Sequence, residues 1–284
     1  MGLPVLILGE SGTGKSASMR NFTEDDLIVI NVANKPLPFK SKIENVCTDD
    51  YREIIQTLKN NKKKIVVIDD AQYLMANEFM RRAREKGFDK FTEIAQNFWL
   101  LVDMIKSLPN EQIVYFMAHI ERDQNGNEKI KTIGKLLDEK ITVEGMFTIV
   151  LKTCVADGVY TFITQNNGHD TTKSPIGMFP SFAIDNDLKY VDEKIRNYYE
   201  IGDHLTDEQM AKKDEEVKNE DITPPERKKR RPRRSEVTVE ESEDLPFDVP
   251  DTNRKEDSEP EEVVQEEAAP TVEPEAPKRR RRRE

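Results

Sequence analysis

Cysteine, histidine and tryptophan are scarce in this chain, numbering two, three and one in 284 residues. Cys47 and Cys154 stand far apart, and neither has a partner at metal-ligand spacing. That excludes a disulfide scaffold and a zinc module, and it reads as two reduced thiols of a cytosolic protein. No apolar run approaches the roughly 20 residues that a membrane span needs, so no membrane partner is expected. Because a core strand opens by Pro4, no signal peptide is expected either. No internal repeat is visible, which argues against a solenoid or propeller. The expected compartment is the cytoplasm.

Apolar residues are also thin on average, 36% against 35% charged, with a net charge of −11. The average conceals a division. Residues 203–284 carry 26 acidic and 18 basic side chains and a single aromatic, Phe247. Such a segment cannot bury enough apolar surface to fold by itself. Residues 1–202, with 29 acidic and 26 basic groups, have an ordinary globular composition. The expected organisation is a folded domain over 1–201 and a disordered charged tail over 202–284.

What is present is concentrated at the start. Pro4-Val5-Leu6-Ile7-Leu8 is a short apolar run of the kind that forms a buried parallel strand. It breaks at Gly9-Glu10-Ser11-Gly12-Thr13-Gly14-Lys15-Ser16, a complete G-x-x-x-x-G-K-[ST] phosphate-binding loop. Glycines let the backbone curl so that successive N–H groups face phosphate oxygens. Lys15 adds a point charge to the same oxygens, and the Ser16 hydroxyl is placed to ligate Mg²⁺. Ala17–Arg20 is expected to continue as a helix with its positive end toward the anion. The nucleotide-binding set is therefore Gly9, Glu10, Ser11, Gly12, Thr13, Gly14, Lys15, Ser16 and Ala17.

The rest of the chain alternates strand and helix signals. Leu27–Asn31 reads as a second buried strand, and Lys35-Pro36-Leu37-Pro38-Phe39 as irregular, since proline cannot donate to a ladder. Thr48-Asp49-Asp50 can cap a helix running to Asn60. Lys64–Asp70 is a strand ending in two carboxylates, and Asp69 is the candidate second holder of Mg²⁺. Helices are expected over 71–86 and 90–107, with Trp99 at the edge of the second helix's apolar stripe. Ile113–His119 is another buried strand, and Asn125-Gly126 a tight turn. A short helix over Lys135–Glu144 precedes a hairpin of Phe147–Val155 and Val159–Gln165 turning at Asp157-Gly158. Asn166–Pro180 reads as a mobile loop carrying Lys173, and Asp185 as the cap of a last helix through Glu200. This order predicts an α/β sheet with parallel central strands and antiparallel strands at its C-terminal edge. Gly9–Ser16, Asp69–Asp70 and His119 all fall at carboxyl ends of strands, where ligands bind such sheets.

These motifs, together with Ile133-Gly134-Lys135 and Thr172-Lys173-Ser174, resemble the small AAA-family ATPases of bacteriophages over about residues 1–200. Those proteins are RecA-like and are associated with phage recombination, several as single-strand annealing or strand-exchange ATPases. The resemblance implies a RecA-like P-loop fold, ATP with Mg²⁺, a homo-oligomer with nucleotide between subunits, and single-stranded DNA as partner. In one respect the chain departs from the pattern. RecA-like enzymes place a glutamate at the end of the strand after the phosphate-loop helix, to orient the attacking water. Here that strand ends Asn31-Val32-Ala33-Asn34. The favoured substitute is Asp70; otherwise Glu10 reaches round, or hydrolysis is slow.

The resemblance gives His119 the role of γ-phosphate sensor, against the plainer reading of a hydrogen-bonded strand-end histidine. Lys135 and Lys173 are candidates to reach a neighbouring subunit's nucleotide, and Arg122 and Lys131 to line a DNA channel, although each also reads as a solvated surface charge. The expected activity is ATP hydrolysis coupled to single-stranded DNA in recombination or replication. The alternatives are a nucleotide-switched DNA tether with little hydrolysis and an AAA+-type helicase loader. In the tail, Arg227–Arg234 and Lys278–Arg283 are basic runs flanking the acidic stretch Glu236–Glu275, an arrangement typical of interaction tails. Leu245-Pro246-Phe247 resembles the acidic tip of bacterial single-strand DNA-binding proteins, which docks DNA-processing partners.

Overall fold

The apolar runs pair side by side because each is uniformly non-polar and can be buried on both faces of a sheet. The computed structural model describes residues 1–218. Its strands are β1 (Leu3–Gly9), β2 (Leu27–Asn31), β3 (Glu44–Val46), β4 (Ile65–Asp69), β5 (Ile113–Arg122), β6 (Glu128–Ile130), β7 (Ile149–Ala156), β8 (Val159–Ile163) and β9 (Ala183–Asp185). Its α-helices are α1 (Tyr51–Asn60), α2 (Gln72–Arg81), α3 (Asp89–Ile105), α4 (Leu188–Tyr199) and α5 (Asp207–Val217). The strand order is β3-β2-β4-β5-β1-β7-β8-β9, with β6 attached to β5. Pairing is parallel from β3 to β7 and antiparallel from β7 to β9. The expected α/β architecture, parallel in the centre and antiparallel at the C-terminal edge, is what forms, and it is consistent with a P-loop NTPase fold.

Alternation along each strand divides the core in two. Leu6, Leu8, Ile30, Ile68 and Phe116 face α1, α2 and α3 through Leu58, Leu74, Phe98 and Leu101. Val5, Ile7, Val29, Val67 and Tyr115 face the other way, against Met19, α4 and Met210 of α5. Full burial of each such aliphatic side chain contributes about 1.5–3 kcal/mol. Phe116 is edge-on to both Phe98 and Phe147, which fixes α3 over the centre of the sheet. Trp99 packs at the margin of that cluster, partly buried. Among the described residues no helix is long and apolar enough to cross a membrane. Cys47 and Cys154 are free thiols.

Several local expectations change. The segment after the phosphate loop is a 3₁₀ turn, Ser16–Asn21, rather than an α-helix. Ser18 Oγ donates back to Lys15 O at 2.6 Å, a local bond that competes with helix. Thr23, through its N–H and hydroxyl, closes a turn on Asp26, and this stops the segment. The helix expected over Lys135–Glu144 divides into a π-helical turn, Leu136–Ile141, and a 3₁₀ turn, Val143–Met146. Helix α4 is capped by Asp187, which accepts from Lys189 N at 2.9 Å, and not by Asp185, because Asp185 ends the edge strand β9. Lys173 does not ride on a mobile loop. Its N–H and C=O exchange bonds of 2.9 and 2.8 Å with Val150, filling the edge of β7 that β8 leaves open.

Ordered structure also continues past residue 201. Thr206 caps α5 with a full capping box, and Met210 is buried at 1% exposure. Lys218 bridges to Ile184 of β9, so residues 202–218 share the compact unit that begins at Met1. Charge content alone hid this because α5 is a polar helix that packs only Met210 and, partly buried, Val217 on the core. The two basic runs, the acidic stretch and Leu245–Phe247 lie outside the described residues.

Candidate functional site

Parallel pairing sets the site. In register, Gly9 at the end of β1 lies beside His119 of β5, and Asn31 of β2 lies beside Asp69 of β4. With β5 between β1 and β4, His119 stands between the phosphate loop and the two carboxylates. Together with the Lys35–Pro38 segment they enclose a cleft of about 360 Å³, lined by Lys15, Ser16, Lys35, Asp69, Asp70 and His119, with Tyr160 of β8 at its margin. Lys15, Ser16, Asp69, Asp70 and His119, expected at strand ends, are all brought together by the fold; Lys35 and Tyr160 join them without having been expected there.

The phosphate loop is tied down by its own chemistry. Gly9 has to be glycine, since a Cβ there would sit 1.9 Å from Thr153 Oγ1 on β7. That threonine shares a 2.6 Å hydrogen bond with Thr13, whose hydroxyl also donates to Glu10 O at 2.8 Å. Glu10 accepts from Arg122 at 2.9 Å, and Arg122 also holds Glu128 at 3.0 Å. Arg122 is thus occupied by two carboxylates, and Glu10 points to β5 rather than round to the cleft floor.

Lys15 is buried, and its ammonium donates to Gly9 O at 2.9 Å and Glu10 O at 2.7 Å. Burial lowers its pKa to about 8, against the opposing pull of Asp70 and Asp69. A cation held this way stays protonated at neutral pH and is poorly compensated, so it favours an incoming polyanion. The Ser16 hydroxyl donates to Asp69 at 2.8 and 3.0 Å. Burial also pushes the Asp69 carboxyl up, with the Ser16 bond partly offsetting it. A hydroxyl and a desolvated carboxylate converging on one point are hard oxygen donors suited to Mg²⁺. No group of three or more His, Cys, Asp or Glu that could hold a metal occurs among the described residues. Mg²⁺ commonly takes one or two protein ligands and shares its remaining positions with water and substrate phosphates.

Asp70 follows in a left-handed conformation, φ +58°, uncommon for a non-glycine residue and frequent at functional turns. This backbone turn swings its carboxylate off the line of β4. It accepts from Lys35 Nζ at 3.0 Å and lies 3.2 Å from His119 Nε2. Burial raises its pKa, but hydrogen bonds from His119 and Lys35 and their charges outweigh burial and bring it to about 2. Asp70 is therefore ionised across the physiological range. His119 is steadied by an edge contact with Tyr73 at 6.3 Å, and its backbone N–H donates to Gln72 Oε1 at 3.1 Å. Lys35 also lies over the Tyr73 ring, 5.1 Å from its centroid. Lys135, Lys173 and Lys131 do not line this cleft.

The signal for Lys35 was faint but present: a polar strand end, Asn31, followed four residues later by a lysine in a proline-rich loop. No local signal marked Tyr160, which reaches the loop from a distant hairpin.

A family model described as an AAA domain matches residues 1–175. That span takes in the phosphate loop, Lys35, Asp69, Asp70, His119 and Tyr160. No curated protein matches the chain.

Proposed function

This chain belongs to the AAA domain family, P-loop ATPases that bind nucleotide, and we propose that it binds ATP with Mg²⁺ in this cleft, hydrolyses it, and acts on single-stranded DNA in phage recombination or replication. The observation that carries the nucleotide part is the convergence of Lys15, Ser16 and Asp69 at the mouth of one phosphate loop. Lys15 and the loop amides hold phosphates, and Ser16 and Asp69 hold the metal. Bound Mg²⁺ supplies charge neutralisation and polarisation of the phosphoryl group. Asp70 accepts hydrogen bonds as a permanent carboxylate, which suits it to orient a water rather than to keep a proton. His119, bonded to Asp70, is placed to respond to the far end of a triphosphate.

The DNA part rests on the family resemblance and on the basic runs Arg227–Arg234 and Lys278–Arg283. If one run engages six or more phosphates, affinity falls roughly 10³-fold or more between 50 and 200 mM salt. The proposed assembly is a homo-oligomer in the host cytoplasm, with Leu245–Phe247 as a docking motif for DNA-processing proteins.

A second reading, a nucleotide-switched DNA tether with little hydrolysis, is favoured by one observation. Asn31, not a carboxylate, ends β2, and Asp70 is already engaged by Lys35 and His119. The deciding experiment is ATP turnover by the full chain and by Lys15→Ala, with and without single-stranded DNA, at two salt concentrations. DNA-stimulated turnover that disappears in the variant supports the ATPase. Negligible turnover with ATP-dependent, salt-sensitive DNA binding supports the tether. Failure to bind ATP overturns both.

A further inference from the structure

Two lysines face the phosphate cleft, and they are held in different ways. Lys15 belongs to the phosphate loop and is buried, whereas Lys35 enters from the segment after β2 with a side chain 60% exposed. Their ammonium charges repel one another across the cleft. Asp69 and Asp70 line the same space, so the cleft's own side chains balance two cations with two carboxylates. The Lys15 ammonium already spends two of its three donors on Gly9 O and Glu10 O, which leaves one for an incoming phosphate.

Lys35 has a fixed backbone and an exchangeable head. The Asn31 carboxamide bonds both its N–H and its C=O, and Pro36 follows it directly. Its Nζ rests on Asp70 Oδ2 at 3.0 Å and over the ring of Tyr73. An ion pair with one partner largely in water and a cation–π contact are both weak holds. Lysine is a compact point charge on a flexible stem, so the head can swing while the backbone stays. Asp70 Oδ1 meanwhile faces His119 Nε2 at 3.2 Å. While Lys35 stays in place, both oxygens of Asp70 are engaged.

We propose that Lys35 is a second phosphate-binding cation and a latch on Asp70: it moves to the terminal phosphate of a bound triphosphate and returns to Asp70 when a diphosphate remains. The inference rests on the phosphate-loop reading and adds to it a residue that distinguishes the two nucleotide states. A terminal phosphoryl group brings more negative charge than one carboxylate, and its oxygens accept charge-assisted hydrogen bonds. It therefore outcompetes Asp70 for the ammonium. When Lys35 leaves, Asp70 Oδ2 opens to water, so the movement that ties Lys35 to phosphate also readies Asp70 to orient that water. Loss of the terminal phosphate removes the attraction. Asp70 then recaptures Lys35, and its carboxylate is covered again.

The test uses the full chain with Mg²⁺ and two ligands, ADP and the non-hydrolysable β,γ-imido analogue of ATP. Equilibrium binding is compared for the wild type, Lys35→Met and Lys35→Arg. Lys35→Met keeps a stem against Tyr73 and removes the charge. It should weaken the triphosphate analogue about tenfold or more, as expected for one charge-assisted hydrogen bond, and leave ADP affinity nearly unchanged. Lys35→Arg should retain most of the preference for the triphosphate. In the wild type, acetylation of Lys35 by an amine-reactive ester, read by peptide mass spectrometry, should be slowed by the analogue and not by ADP. Equal weakening of both ligands in Lys35→Met, or of neither, would overturn the inference while the phosphate site stands. So would equal labelling of Lys35 in the presence of the two ligands. Wild-type protein that binds neither ligand would overturn the phosphate-loop reading itself.

Discussion

The carboxamide of Asn31, at the end of β2, clasps the backbone of Lys35 from both sides: Nδ2 donates to Lys35 O at 2.5 Å, and Oδ1 accepts from Lys35 N at 3.2 Å. At the end of β2 this chain thus uses an amide to deliver a lysine into the cleft. Lys35 then binds Asp70, whose hydrogen bond raises the lysine's pKa above its ordinary value.

Asn31→Ala should therefore loosen the Lys35–Pro38 segment. Asn31 is buried, so losing both bonds and leaving their partners unmet is expected to lower unfolding free energy by about 1–3 kcal/mol. Urea denaturation measures it; an unchanged midpoint would mean that the prolines alone set the segment's path.

Gly12 and Gly14 both have positive φ, +79° and +99°, but their surroundings differ. Alanine at Gly12 meets open space and carries only the backbone strain, about 1–2 kcal/mol. Alanine at Gly14 adds collisions with Tyr160 and Asn186. Thermal unfolding of the two variants should rank Gly14→Ala as clearly the less stable. Equal losses would show that β8 and β9 yield freely at the loop.

Helix α5 is held by one buried apolar side chain, and Tyr190 and Lys194 of α4 both bond to its Asp214, at 2.7 and 2.5 Å. Met210→Ala should cost about 2–5 kcal/mol. Truncation after residue 218 should leave the unfolding midpoint close to that of the full chain, whereas truncation after residue 201 should lower it. Indistinguishable truncations would return the domain boundary to 201.

Glu128 links the phosphate loop to the sheet edge through Arg122 and Lys152, the latter at 2.7 Å. Burial pushes its carboxyl up, but the Lys152 and Arg122 bonds outweigh burial and hold it below its usual value. A depressed carboxylate contributes stability above its unfolded pKa, about 4.3. That contribution disappears as pH falls through the lower folded value. Denaturation between pH 6 and 3 should show part of the acid loss in the wild type and less of it in Glu128→Gln. Parallel curves would mean that other carboxylates dominate.

Much of the fold was legible from local pattern. Leu27–Asn31 and Tyr51–Asn60 fall where an apolar run and a capping aspartate put them, because those signals act over a few residues. The Asp157-Gly158 hairpin was equally plain, both residues taking the positive φ its turn demands. Strands β3, β6 and β9 were not legible. Each has three residues, too few for a period, and each exists because a longer neighbour offers an open edge. The 3₁₀ turn at Ser16–Asn21 replaced a helix for local reasons: Ser18 Oγ bonds back to Lys15 O, and the Thr23–Asp26 turn ends the segment.

The amino-acid sequence alone determined the phosphate loop, the strand that precedes it and the carboxylates that answer it, since motif spacing and apolar periodicity are properties of contiguous chain. Only the tertiary structure decided that β5 stands between β1 and β4, placing His119 against Asp70. It also decided that Lys35 closes on the same carboxylate and that Tyr160 and Asn186 pack on Gly14. Those neighbours come from strand order and crossover connections, and side chains brought together across a sheet leave no trace in the spacing of either one.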